Sequence, residues 1–304
     1  MKYLNSIISI IIFSFLSCSS SSPRVNDEVN EVQTDIEVKN GNTLLWKIEK
    51  KGHQTAYIFG TMHMIEAEYY EFTPHMSNIV KNSDAIIMEI GGQPNPLKAL
   101  EMMTLKEGKV EDFFTKEQLK DLVEFMDTKM HVSPQEFHST YSGMKPFFIL
   151  QTITQAYFSE TSMSYDLNIM QMSAEHNIPL LGFETMEEQL GFFDQIPAKD
   201  VALMIMNSVY NFEDEKKNTK KLEKLYAKQK VDKLIPLMKN QSPEFMEYED
   251  IFLNNRNKAW IPKIIEETKT KKCFIAVGAA HLFGNNGVIE LLKEKDFILT
   301  PIQK

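Results

Sequence analysis

The sequence predicts an α/β fold: a mostly parallel central sheet flanked by helices, with a helical insertion before the last strands. Three observations carry this. Ala85–Ile90, Pro179–Phe183 and Cys273–Val277 are short uninterrupted apolar runs, the pattern of strands buried on both faces. Long stretches of helical pattern separate these runs, and strand–helix–strand order with right-handed crossovers builds a layered sandwich. At 304 residues, 43% hydrophobic and 25% charged, most of the chain lies in the globular range.

The first 17 residues read as an address rather than as structure. A charged start at Lys2, an apolar run from Ile7 to Leu16 and a small residue, Ser17, form a secretory signal of lipoprotein type. The run is too short to span a bilayer. Phe15-Leu16-Ser17-Cys18 matches a bacterial lipobox, so the mature chain is expected to begin at a lipidated Cys18 in the bacterial envelope. No acidic residue directly follows Cys18, which favours the periplasmic side. Residues 18–42, with four serines directly after Cys18, read as a flexible tether. Residues 43–304 then form the folded domain.

Within that domain, Leu44–Glu49 and Thr55–Gly60 read as a hairpin turning through Lys50–Gln54, and Phe297–Ile302 as the closing strand. Thr115–Lys129 opens with a capping-box pattern. Lys145–Phe158, Tyr165–His176, Thr185–Phe193 and Val288–Glu294 follow as helices. From Ala198 to about Thr268 no strand pattern occurs, which marks the helical insertion. The 18 Met fall at helical spacing and read as core filler.

The formal net charge of −9 disfavours nucleic acid as a partner, because a phosphate binder needs a basic face. Two Cys, Cys18 and Cys273, leave no disulfide framework, and Cys273 in a strand reads as a buried structural thiol. The basic residues comprise 31 Lys and two Arg, Arg24 and Arg256. A single guanidinium in the folded region suggests a task that an ammonium cannot perform, such as bidentate holding of a carboxylate or an oxyanion.

The functional reading rests on strand ends. Thr55–Phe59 runs into Gly60-Thr61-Met62-His63, and Cys273–Val277 into Gly278-Ala279-Ala280-His281. In each, glycine is expected to allow a sharp turn at the strand's carboxyl end, with histidine three residues later. Two more strands deliver Glu89 and Glu184. Open parallel sheets place ligand sites at this rim. Two imidazoles with one or two carboxylates suit Zn²⁺, Mn²⁺, Co²⁺ or Fe²⁺, and an open coordination position would serve hydrolysis. Asp166 reads either as a helix N-cap or as a further rim group. His53, His75, His131, His138 and His176 lack such placement and read as structural or solvent-facing.

These segments, Tyr57–His63, Ile87–Ile90, Pro179–Thr185 with Glu188-Gln189, Arg256-Asn257 with Trp260, and Ala276–Leu282, resemble the TraB/PrgY/GumN family, whose animal relatives are the TIKI proteases. The resemblance spans about residues 44–302. It implies a fold shared with erythromycin esterase-like and haem-binding ChaN-like proteins. It also implies a divalent-metal-dependent hydrolase, a peptidase by analogy, acting on a peptide or small-molecule substrate. His63, His281 and Glu89 would be the active-site set, binding Mn, Co or Zn, with Arg256 nearby. Glu89 or Glu184 would be general base and the other a ligand, and Arg256 would stabilise an oxyanion or grip a substrate carboxylate. Two other readings are a protein that sequesters a peptide signal and a haem- or iron-binding lipoprotein. If the lipobox is used, Cys18→Ala will move the protein from the membrane fraction to the soluble fraction and change its gel mobility.

Overall fold

The computed structural model describes residues 43–91, 95–241 and 246–303; the expected signal, tether, Cys18 and Arg24 lie outside the described residues. Six strands make one sheet: β1 (Leu45–Glu49), β2 (Ala56–Thr61), β3 (Ala85–Ile90), β4 (Leu180–Glu184), β5 (Cys273–Gly278) and β6 (Ile298–Ile302). Their spatial order is β4-β3-β5-β2-β1-β6. The first four in that order run parallel. β1 is antiparallel to both β2 and β6, closing one side of the sheet. The hairpin from β1 to β2 turns through Gly52, whose φ of +82° suits glycine alone.

The longer helices are α1 (Pro74–Lys81), α2 (Pro96–Met103), α3 (Lys116–Met130), α4 (Pro146–Gln155), α5 (Tyr165–His176), α6 (Met186–Phe193), α7 (Ala198–Tyr210), α8 (Phe212–Ala227), α9 (Val231–Gln241), α10 (Asn255–Thr268) and α11 (Val288–Lys293). α3 starts with the expected capping box: Thr115 accepts from the Gln118 N–H and Gln118 accepts from the Thr115 N–H. α6 repeats the device with Thr185 and Glu188.

Strand alternation assigns residues to layers. In β3, Ile86 and Met88 enter a core shared with Val80 of α1, Ile169 of α5, Leu222 of α8 and Leu234 of α9. Ile87 points the other way, into a core with Trp260 and Ile264 of α10 and Leu292 of α11. A third core lies among helices, joining Leu122 of α3, Ile149 of α4, Leu190 of α6 and Ile205 of α7.

No strand occurs between 198 and 268 among the described residues. The expected insertion is nevertheless part of the main fold. α7 belongs to the helical core, α8 and α9 cover one face of the sheet, and α10 covers the other. The helical stretch thus precedes the last strands, as expected, and packs its helices onto the rest of the fold.

A glycine contact joins the end of β3 to the middle of β4. A Cβ on Gly182 would collide with the Gly91 backbone, and one on Gly91 would collide with Gly182. Gly182→Ala should therefore prise β4 from β3, lowering stability by roughly 1–3 kcal/mol. A Tm several degrees below wild type in thermal unfolding would register this, and an unchanged Tm would refute it.

Candidate functional site

The parallel strands bring all the predicted rim residues to one edge. β2 and β5 are neighbours in register, with Gly60 beside Val277 and Thr61 beside Gly278. His63 and His281 therefore leave adjacent strands at the same level. The two glycines do not act as expected. Neither has a positive φ, so neither is required for a left-handed turn. What they provide is room. A Cβ on Gly60 would lie 2.8 Å from Leu282 Cδ1 and 3.0 Å from Ala279 Cα, preventing the short helical turn Ala279–His281 from seating over β2. A Cβ on Gly278 would stand 3.3 Å from Glu89 Oε1, 3.6 Å from His281 Cδ2 and 3.6 Å from His63 Nε2. Gly278 thus floors the space where these three side chains meet.

Arg256 holds the carboxylates. It lies in the first turn of α10, four residues before Trp260, so the two share the helix face that packs on the sheet. It is 2% exposed. Nη2 donates to Glu89 Oε2 at 2.6 Å and to Glu184 Oε2 at 2.8 Å, while Nε donates to Glu184 Oε1 at 2.9 Å. Trp260 Nε1 adds a bond to Glu184 Oε1 at 2.9 Å, and Phe183 stacks on the same indole. Nη1 donates to the carbonyl of Phe252, within the π-helical turn Asp250–Asn254 that leads into α10. The carboxylates that this guanidinium grips are the protein's own.

Glu89 accepts two further hydrogen bonds and faces one imidazole. Oε1 takes the Gly278 N–H at 2.8 Å and faces His281 Nε2 at 3.6 Å, while Oε2 takes Gln189 Nε2 at 3.3 Å. Burial opposes its charge, but the facing His281 ring, the Arg256 guanidinium, His63 and the Gly278 N–H together outweigh it, and its pKa falls well below the carboxylate range. Glu184 goes the other way: burial raises its pKa, and the hydrogen bonds from Arg256 only partly offset that.

Each imidazole is fixed at Nδ1. His281 Nδ1 donates to Asn257 Oδ1 at 2.7 Å, and the Asn257 amide is itself oriented by its Nδ2 donating to Asn286 O at 2.8 Å. That leaves Nε2 as an acceptor, and Arg256 Nη1 stands 3.3 Å from it. Burial first, and then the positive charge of Arg256, drive the His281 pKa down to about 3 against the pull of Glu89, so the ring is neutral. His63 Nδ1 lies 2.9 Å from Asp166 Oδ2. Burial works against a charged His63, but the Asp166 carboxylate overcomes it and raises the pKa.

Asp166 is not an N-cap; Ser164 caps α5. Asp166 instead occupies the first turn, nearly buried, where it also accepts from Thr61 Oγ1 at 3.2 Å. Asn257 and Gln189 fall in the segments that carry the family resemblance, but residue type and placement alone do not assign them to the site. Asn257 follows Arg256, and Gln189 lies one turn into α6. The thiol of Cys273 is buried, and burial pushes its pKa up to about 12, as fits a structural residue. His53 bonds to Thr268 and His138 to Glu111, both away from this edge.

Beside the histidines opens a small pocket, bordered by Thr61, Gly278, Ala279 and Ala280 and walled by apolar side chains. Residues 44–301 match the model of the TraB/PrgY/gumN family. The chain belongs to that family. Two similar relatives within reach of sequence comparison are both described as uncharacterized protein YbaP, from Shigella flexneri and from Escherichia coli strain K12. Each is 24% identical over 279 residues, which cover 88% of this chain and the whole of the relative. No solved structure matches. The family match takes in every residue of the site, from Thr61 to His281.

The loop after His63 is tethered by another buried acid. Glu223 of α8 accepts the Glu66 N–H at 2.6 Å. Burial raises its pKa to about 7, helped by Glu66 and Glu68 and opposed by that N–H and Lys220. The folded protein therefore binds this proton more tightly than the unfolded chain does. Its contribution to stability declines as pH rises from about 4.5 to about 7. Glu223→Gln, which keeps the acceptor, should make Tm less sensitive to pH across that window and raise it above wild type at pH 8. An unchanged Tm profile between pH 4.5 and 8 would refute this.

Proposed function

We propose that this family member is a hydrolase whose active centre is the space above Gly278. The observation that carries the reading is the convergence of Glu89 Oε1 and the two imidazoles on that space, each ring held at Nδ1 by its own partner. Such orienting partners are a regular companion of histidines that bind a metal or move a proton.

The donor set fits a divalent cation of the Mn, Co or Zn type. His63, His281 and Glu89 would hold it. Two donors about 2.1 Å from one tetrahedral ion lie roughly 3.4 Å apart, and His281 Nε2 and Glu89 Oε1 are 3.6 Å apart. Among the described residues no three such donors are already gathered to ligating distance. The positive charge nearest His281 Nε2 is Arg256, with which a bound cation would compete. When bound, a divalent cation lowers the pKa of water toward neutrality.

The chain's own residues supply the rest. Asn257 keeps His281 in the tautomer whose Nε2 accepts. Arg256 keeps Glu89 ionised and aimed at Gly278. Glu184, with both oxygens engaged by Arg256 and Trp260, is a positioning residue rather than a base. Arg256 in turn acts through the carboxylates rather than on an oxyanion. The contact between Arg256 and His281 favours a second route, in which His63, backed by Asp166, takes the proton from water without a cation. The lipobox motivates the further proposal that the enzyme works from the bacterial envelope.

Two measurements test this. Purified protein should retain Mn²⁺, Co²⁺ or Zn²⁺, and His63→Ala or His281→Ala should each weaken retention by about 100-fold or more while leaving the circular dichroism intact. Gly278→Ala, which fills the central space, should do likewise. Turnover of a mixed peptide pool that survives chelation would favour the His63–Asp166 route. Absence of both retained metal and turnover would refute the hydrolase reading.

A further inference from the structure

The pocket beside the histidines has walls that the reaction does not need. Met62 follows β2, Tyr226 comes from α8, Leu234 and Met238 stand one turn apart on α9, and Leu253 belongs to the π-helical turn before α10. Four separate segments thus contribute large apolar groups to one cavity that opens onto His63 and His281. No Asp, Glu, Lys or Arg lines it. Its other polar side chains are already engaged. Tyr226 donates its hydroxyl to Gly60 O at 2.7 Å, and Thr61 donates to Asp166. A charged or strongly polar substrate group entering here would leave water without finding a partner, which is costly. An apolar group would exchange water for hydrocarbon contact.

We infer that this pocket is the specificity site and that it takes an uncharged apolar side chain, of the leucine or methionine class, adjoining the bond to be cut. The inference rests on the hydrolase reading for its placement next to the reacting centre, but the pocket's preference is measurable without turnover. Met238 sets one wall and is only partly buried, so it can be changed with little risk to the core.

The test uses the intact folded protein and N-acetyl amino-acid amides that differ only in side chain: glycine, leucine, methionine, aspartate and lysine. Binding is read by titration calorimetry. The leucine and methionine probes should bind at least about tenfold more tightly than the other three. Met238→Trp should remove that advantage by filling the pocket. Met238→Glu should weaken the leucine probe and strengthen the lysine probe. A flat series, no binding by any probe, or a preference untouched by both variants would overturn the inference. Cleavage of the mixed peptide pool by the same preparations bears on the hydrolase reading alone. Turnover without an apolar preference would discard the pocket and keep the reaction; apolar binding without turnover would do the reverse.

Discussion

A guanidinium between two buried carboxylates sets the terms for this molecule. Arg256 lies at the junction of three elements, joining α10 to the ends of β3 and β4 through Glu89 and Glu184. Removing Arg256 would leave two carboxylates buried without their counter-charge, a loss of about 3–5 kcal/mol for a buried pair broken on one side. The bidentate geometry explains the choice of residue, because lysine presents a point charge and cannot span both carboxylates in one plane. The same contacts aim Glu89 at Gly278. Packing and chemistry are therefore coupled at a single side chain, and the π-helical turn before α10 supplies a carbonyl that saturates the remaining nitrogen.

Around that centre the site is assembled by subtraction as much as by addition. Gly60 and Gly278 matter because each lacks a Cβ, one so that the turn carrying His281 can press onto β2, the other so that the space among three polar groups stays open. The histidines are then sorted by their partners. Asp166 gives His63 a negative neighbour and a raised pKa, whereas Asn257 gives His281 a neutral one and leaves burial and Arg256 to hold it uncharged. Two chemically identical side chains thus acquire opposite protonation tendencies within one site.

Much of this was legible in the sequence. The buried parallel strands announce themselves as uninterrupted apolar runs, and their four carboxyl ends name His63, Glu89, Glu184 and His281 directly. The rarity of arginine singles out Arg256. What the sequence could not display is partnership at long range. Glu89 and Arg256 are 167 positions apart, and His63 and Asp166 are 103 apart. A lone Asp beside a helix start looks the same whether it caps the helix or backs a histidine. The helical stretch after Ala198 reads as an insertion because it lacks strands, yet its amphipathic stripes cover both faces of the sheet. Helices α1 and α2 open on Thr-Pro and Asn-Pro, sound N-terminal signals. Each is only eight residues long, too short for periodicity to stand out.

The antiparallel edge has a directional consequence. β1 pairs Leu45 with Phe59 of β2 and with Ile302 of β6, so the chain enters the sheet, and leaves it, at the edge where His63 and His281 stand. Thr43 Oγ1 ties the entry point to the exit through Ile302 O. Any attachment upstream of Thr43 would thus hold the domain by the rim that carries the two histidines instead of its back. From an acylated Cys18, 25 residues could extend at most about 80–90 Å. The rim, not the opposite end of the sheet, would then lie nearest such an anchor.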